Sequence, residues 1–201
     1  MLFITNCPLN EGNRFVEERS ISFSIINNLP EHNVYFCERI SEGNYREFGG
    51  QRFMSELKHS HYSQVLIYIH GQTSQPERDV FPMVEKLQQL FDRQEEDLVQ
   101  VVPMIWPCYD PEVSETHFWS DQKSADSSEF AYGRVLESFM AWRESAKQDE
   151  TPCLKRINIL AHSMGARVIR GALLNWAKYD RGGSIPMIFR NIFLTAPDLG
   201  N

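Results

Sequence analysis

The pentapeptide Ala161-His162-Ser163-Met164-Gly165 sets a serine between two small residues, one two positions before it and one two positions after. INIL precedes it, and a helical stripe of Val168, Ile169, Ala172, Leu173 and Trp176 follows. A strand that turns directly into a helix at a serine lifts the hydroxyl above the C-terminal edge of a sheet, where it can attack an acyl carbon. Small flanking residues suit this turn, because it is tight and the helix packs close to neighbouring strands. The helix N-terminus also offers free backbone N–H groups, Met164's among them, to a developing oxyanion. The plainer reading of Ser163 is an N-cap. The strand before it and the helix after it favour the elbow.

A second group, His70-Gly71-Gln72, follows another apolar run, QVLIYI. A loop leaving the strand edge here can point the Gln72 N–H at the crevice that holds Ser163, with Gly71 allowing close backbone approach. Gln72 and Met164 would then be the two donors of an oxyanion hole. Farther along, Trp106, Tyr109, Phe118 and Trp119 surround a polar segment, CYDPEVSETHFWSDQKSADSS. They either line a substrate pocket or pack that segment onto the sheet. Asp110 and Asp121 lie nearby in sequence without anything in the sequence to position them.

These groups need a scaffold that brings their loops to one edge. QVLIYIHG and LVQVVPMIWP are β-branched, apolar runs of the kind buried on both faces of a sheet, and RINIL and IFRNIFLTAP continue the series. Helical periodicity fills the gaps at PERDVFPMVEKLQQLFDRQEED, at EFAYGRVLESFMAWRESAKQ and after the elbow. Upstream, MLFIT and NVYFCERI read as strands, QRFMSELKHS as a short helix, and NNLPEHN and SEGNYREFGGQ as loops. Strands alternating with helices predict an α/β fold, a three-layer α/β/α sandwich with a mostly parallel central sheet. The 201 residues suit a single domain.

Composition narrows the function classes. The net charge of −7 is spread along the chain, which argues against nucleic-acid binding. No apolar run is long enough to span a bilayer, and no secretory signal is read at the start, so a cytoplasmic location is expected. Cys7, Cys37, Cys108 and Cys153 are scattered and fit reduced thiols. No His, Cys or carboxylate cluster has metal-ligand spacing, no glycine-rich phosphate turn is present, and no cofactor is expected.

VLIYIHG, VVPMIWP, INILAHSMG and NIFLTAPD together resemble the α/β-hydrolase superfamily, and more narrowly its uncharacterised bacterial branch with an A-H-S-M-G elbow. The resemblance implies a serine hydrolase acting on a small ester, thioester or amide through an acyl-enzyme on Ser163. In that family the order is serine, acid, histidine. Asp198, just past the strand that follows the elbow, is implied as an alternative acid, or else it caps a turn. The six histidines, at 32, 59, 61, 70, 117 and 162, all precede Ser163. By this resemblance the fold lacks its last strands and the domain is C-terminally incomplete. The alternative is a non-catalytic binding or scaffold domain without the general-base histidine.

Overall fold

The computed structural model describes residues 1–11, 16, 18–24, 29–110, 118–144, 153, 155–180, 183–185 and 187–199. In chain order the N-terminal part gives β1 (Leu2–Thr5), β2 (Leu9–Glu11), β3 (Arg19–Phe23), β4 (Tyr35–Ser41), β5 (Asn44–Glu47) and α1 (Gly49–His59). Next come β6 (Gln64–Ile69), a π-helical turn (Pro76–Val80), α2 (Phe81–Gln94) and β7 (Val99–Ile105). The chain continues through α3 (Phe118–Glu144), β8 (Arg156–His162), α4 (Gly165–Asp180) and β9 (Phe189–Thr195).

One sheet holds these strands in the order β2-β3-β5-β4-β1-β7-β6-β8-β9. The pairs β1–β7, β7–β6, β6–β8 and β8–β9 are parallel. At the other end, β1–β4, β4–β5, β5–β3 and β3–β2 are antiparallel. Following the directions outward, only β4 and β3 oppose the rest, so the sheet is mostly parallel, as expected. β6 lies between β7 and β8 and is buried on both faces, which explains its unbroken apolar sequence.

Helices cover the two faces unequally. On one face Phe53, Met54 and Leu57 of α1, Val135, Leu136 and Phe139 of α3, and Val168, Ile169 and Trp176 of α4 pack with Val65, Ile67, Ile69, Ile157 and Ile159. On the other face Val80, Phe81 and Val84 join Phe3, Leu66, Tyr68, Val99 and Val101. The connection leaving β6 therefore runs to one face through α2, and the connection leaving β8 runs to the other through α4. Adjacent parallel strands with diverging connections open a crevice at their C-terminal ends, the place where ligands bind in open α/β sheets.

Four elements differ from the sequence reading. SEGNYREFGGQ is no loop: Glu42 and Gly43 form a two-residue turn, with Gly43 at φ 67°, that closes a β4–β5 hairpin. β2 and β3 leave no readable pattern either, because β2 is only three residues long and RSISF buries only Ile21 fully among polar neighbours. The polar segment expected to be irregular through Ser128 is helical from Phe118 onward. Its buried face consists of Asp121, Ser124, Ala125 and Ser128. Small and polar residues hide the periodicity, and Ser128 Oγ returns its proton to the Ser124 carbonyl at 2.8 Å.

Small residues also let α3 and α4 come close. A Cβ at Gly171 would overlap the Glu129 side chain, and one at Gly133 would sit 3.4 Å from the Ala172 carbonyl oxygen. Close packing of α3 on α4 is thus the role of Gly171. At the sheet's end, Ile192, Phe193 and Leu194 of β9 stay 44, 51 and 43% exposed. Such a strand is open to pairing. Trp176, fully buried between α3, α4 and the sheet, tests the main core. Trp176→Ala should lower the unfolding free energy by about 3–5 kcal/mol, measured as a shifted urea midpoint at unchanged slope.

Candidate active site

Ser163 stands between the end of β8 and the start of α4 with φ 50°, a left-handed conformation rarely adopted by residues other than glycine. β9 holds the strained turn from the side. The Ser163 N–H donates to the Thr195 carbonyl at 2.9 Å, and the Ser163 carbonyl accepts the Asp198 N–H at 3.1 Å. The same carbonyl accepts the Ala166 N–H at 3.0 Å, closing the first turn of α4. Ser163 is thus locked into a backbone shape that an N-cap does not require, since capping residues sit in the extended region.

The small residues around Ser163 are explained by contact distances. A Cβ at Gly165 would lie 2.5 Å from the His70 carbonyl oxygen and 2.6 Å from that of Ile69. α4 therefore begins against the backbone of β6. Ala161 is fully buried. A Cβ at Gly71 would meet His162 Nδ1 at 3.0 Å and Ser163 Cβ at 3.1 Å, so the loop after β6 lies directly against the elbow.

His70 shapes that loop. It is 1% exposed, its ring stacks on Trp106 at 5.2 Å and 2°, and Trp106 Nε1–H donates to the His70 carbonyl at 2.9 Å. Nε2 accepts the Trp106 backbone N–H at 3.1 Å, which places the proton on Nδ1. Nδ1–H then donates to the Gly71 carbonyl at 2.9 Å, and the Cys108 thiol reaches the same oxygen at 3.5 Å. A trans peptide points its N–H opposite to its C=O. Turning the Gly71 carbonyl inward therefore turns the Gln72 N–H away from His70 and the buried side. Among the described residues neither the Gln72 N–H nor the Met164 N–H meets an acceptor.

Burial pushes the His70 imidazolium down to about 4, outweighing the opposing hydrogen bonds to Gly71 and Trp106. The ring is neutral near pH 7 with both nitrogens engaged, so it is no general base. His59 ends α1, and His61 pairs with Asp97 at 3.1 Å before β6 and β7 begin, at the opposite edge of the sheet. His162 is exposed on the elbow itself, and His117 lies outside the described residues.

Asp198 is brought to the elbow through its backbone. Its charge also reaches Arg167, one turn beyond Ser163: the guanidinium is held above its usual range chiefly by hydrogen bonds to Asp126, with a smaller contribution from Asp198. Of the two readings of the aromatic residues, Trp106 fits packing and not a pocket wall: it has no exposure and stacks on His70. Trp119 is 77% exposed, because its position on α3 faces away from the sheet. Tyr109 is half-buried beside the loop, and the Phe118 side chain lies outside the described residues. Asp121, which the sequence left unplaced, is fully buried and accepts the Thr73 N–H at 2.7 Å and the Tyr109 N–H at 2.6 Å. Its only sequence signal was an acid in the first turn of a helix that the pattern did not reveal.

The sheet, its two helical layers and the serine elbow define an α/β-hydrolase domain. A family model described as "Alpha/beta hydrolase of unknown function (DUF900)" matches residues 47–201, most of the chain, and the chain belongs to that family. No curated protein and no solved structure matched it.

Two outcomes test this geometry. Gly165→Ala should destabilise the fold by about 1–3 kcal/mol in chemical denaturation, because both opposing atoms belong to the backbone. His70 gives a pH signature. With the folded pKa near 4 and the unfolded value at 6.5, the unfolded chain binds the extra proton between those limits, so stability falls as pH drops through that window. Between pH 7 and 4 the wild type should lose about 3 kcal/mol more than His70→Gln, read from urea midpoints.

Proposed function

We propose that this α/β-hydrolase domain is a serine hydrolase that cleaves a small ester, thioester or amide through an acyl-enzyme on Ser163. The observation that carries the reading is the left-handed Ser163 at φ 50°, pinned at its N–H by Thr195 at the end of β9 and at its carbonyl by Asp198 just beyond. Strain of this kind persists where the surroundings over-determine it, and it clusters at reacting residues. Attack of Ser163 Oγ on the acyl carbon opens the C=O bond into an alkoxide. The N–H groups of Gln72 and Met164 would hold that oxyanion. Collapse of the tetrahedral species expels the alcohol, thiol or amine and leaves the acyl-serine, which water then hydrolyses.

The proton of the serine must pass to a base before or during attack. The acid proposed to support that base is Asp198, on the strength of its backbone bond to Ser163 and its proximity to Arg167. The chemistry needs no metal or cofactor. All four cysteines are free and buried, which fits a reducing compartment, and a cytoplasmic protein is the reading we propose. No helix among the described residues is long and apolar enough to cross a membrane.

A fluorophosphonate probe should label the native gene product at Ser163, located by peptide mass spectrometry, and Ser163→Ala should remove the label while leaving the fold intact. A folded wild-type protein that stays unlabelled would instead support a binding or scaffold domain of the same fold.

A further inference from the structure

The segment between Ile69 and Pro76 belongs to neither a strand nor a helix, so its shape must be imposed from outside. Gln72 lies between two peptide planes. The first, joining Gly71 to Gln72, is fixed at its carbonyl by His70 Nδ1–H. The second joins Gln72 to Thr73. Its carbonyl accepts Ser74 Oγ–H at 3.3 Å, and its N–H donates to Asp121 Oδ2 at 2.7 Å.

Thr73 has φ 56°, which for a β-branched residue is an outlier conformation costing about 1–3 kcal/mol. A hydrogen bond to a carboxylate is roughly twice as strong as a neutral one, and here it holds the residue whose conformation most needs support. The other oxygen of Asp121 takes the Tyr109 N–H at 2.6 Å, tying the loop after β6 to the loop after β7. Asp121 itself is immobilised in the first turn of α3, where a negative charge is favoured by the helix dipole.

We propose that Asp121 is a positioning residue of the oxyanion site. Its carboxylate fixes the second peptide plane as His70 fixes the first, and the Gln72 N–H keeps its direction because both planes flanking Gln72 are held. Asp121 touches neither substrate nor reacting atoms. The proposal rests on the reading of Ser163 as nucleophile and Gln72 as donor. It adds a residue on α3, 49 positions from Gln72 in the sequence, to what that reading requires.

The test is fluorophosphonate labelling kinetics on the native gene product, with amide hydrogen exchange as a second readout. Asp121→Asn retains one acceptor and the side-chain shape but sets an amide N–H2 against a backbone N–H. It should slow the covalent step (kinact) by about 10- to 100-fold while the reversible binding constant of the probe stays within about twofold. Exchange at Thr73 should quicken in the same variant. Asp121→Glu, which keeps the charge but displaces it by a methylene, is the second variant and should show the same split. Adding Thr73→Gly to Asp121→Asn should restore part of the rate, since glycine adopts the left-handed conformation without support. Labelling of the wild type together with an unchanged covalent step in either folded variant overturns this proposal alone. So does a loss that only tracks the unfolded fraction. Failure of the wild type to label overturns the nucleophile and this proposal with it, while Thr73 exchange still reports whether Asp121 holds the loop.

Discussion

A helix can begin against the end of a neighbouring parallel strand only if its first residue leaves room for backbone to meet backbone. Gly165 supplies that room: a Cβ there would overlap the carbonyl oxygens of His70, just past β6, and of Ile69, its last residue, at 2.5 and 2.6 Å. This single contact sets the separation between the elbow and the loop after β6. Were α4 pushed outward by the width of a methyl group, Ser163 would move away from Gly71, whose own missing side chain marks the other side of the same contact. The parallel pairing of β6 with β8, in register from Gln64–Arg156 to Ile69–Ala161, delivers both loops to the same level of the sheet.

Around that contact the backbone is strained in a concentrated way. Thr73, Ser163 and Ala196 have φ of 56, 50 and 44°, and they follow β6, β8 and β9 at the same edge. Each is restrained by bonds from another element: Thr73 by Asp121 of α3, Ser163 by Thr195, and the segment after Ala196 by the bond from Asp198 back to Ser163. Buried polar side chains collect at this edge too. Thr5, Asn6, His70, Asp121, Ser124 and Ser128 are all nearly inaccessible, and Thr5 Oγ1 and Tyr132 both donate to the Ile105 carbonyl, at 2.8 and 2.7 Å. Polar burial is tolerated because strand ends leave carbonyls and N–H groups that need partners. The outcome is an edge whose loops are held by side chains, while the opposite edge carries ordinary exposed pairs such as His61–Asp97.

The sequence showed most of the parallel half of the fold, because β6, β7 and β8 are buried on both faces and read as unbroken apolar runs. It also showed the elbow, since a small-x-Ser-x-small turn between such a strand and an amphipathic helix has a distinct local pattern. The antiparallel extension was harder: β3 and β5 bury one residue in two or fewer, so their alternation is faint beside polar neighbours. The first three turns of α3 were hidden for a different reason, a buried face built from serines, alanine and an aspartate. With that helix unseen, Asp121 had no assigned place, although it is bound to the very loop whose importance His70-Gly71-Gln72 had signalled.

His70 marks the boundary between what residue type suggests and what environment decides. A histidine beside a candidate nucleophile invites the role of proton acceptor. Here Nε2 is filled by the Trp106 N–H, Nδ1–H is directed at Gly71, and burial holds the ring neutral. An asparagine could offer one donor and one acceptor in that space, but it could not also stack across the Trp106 ring. The flat imidazole does all three, and its proton is committed to orienting a peptide. His70 thus acts through shape, and the direction of the Gln72 N–H follows from it.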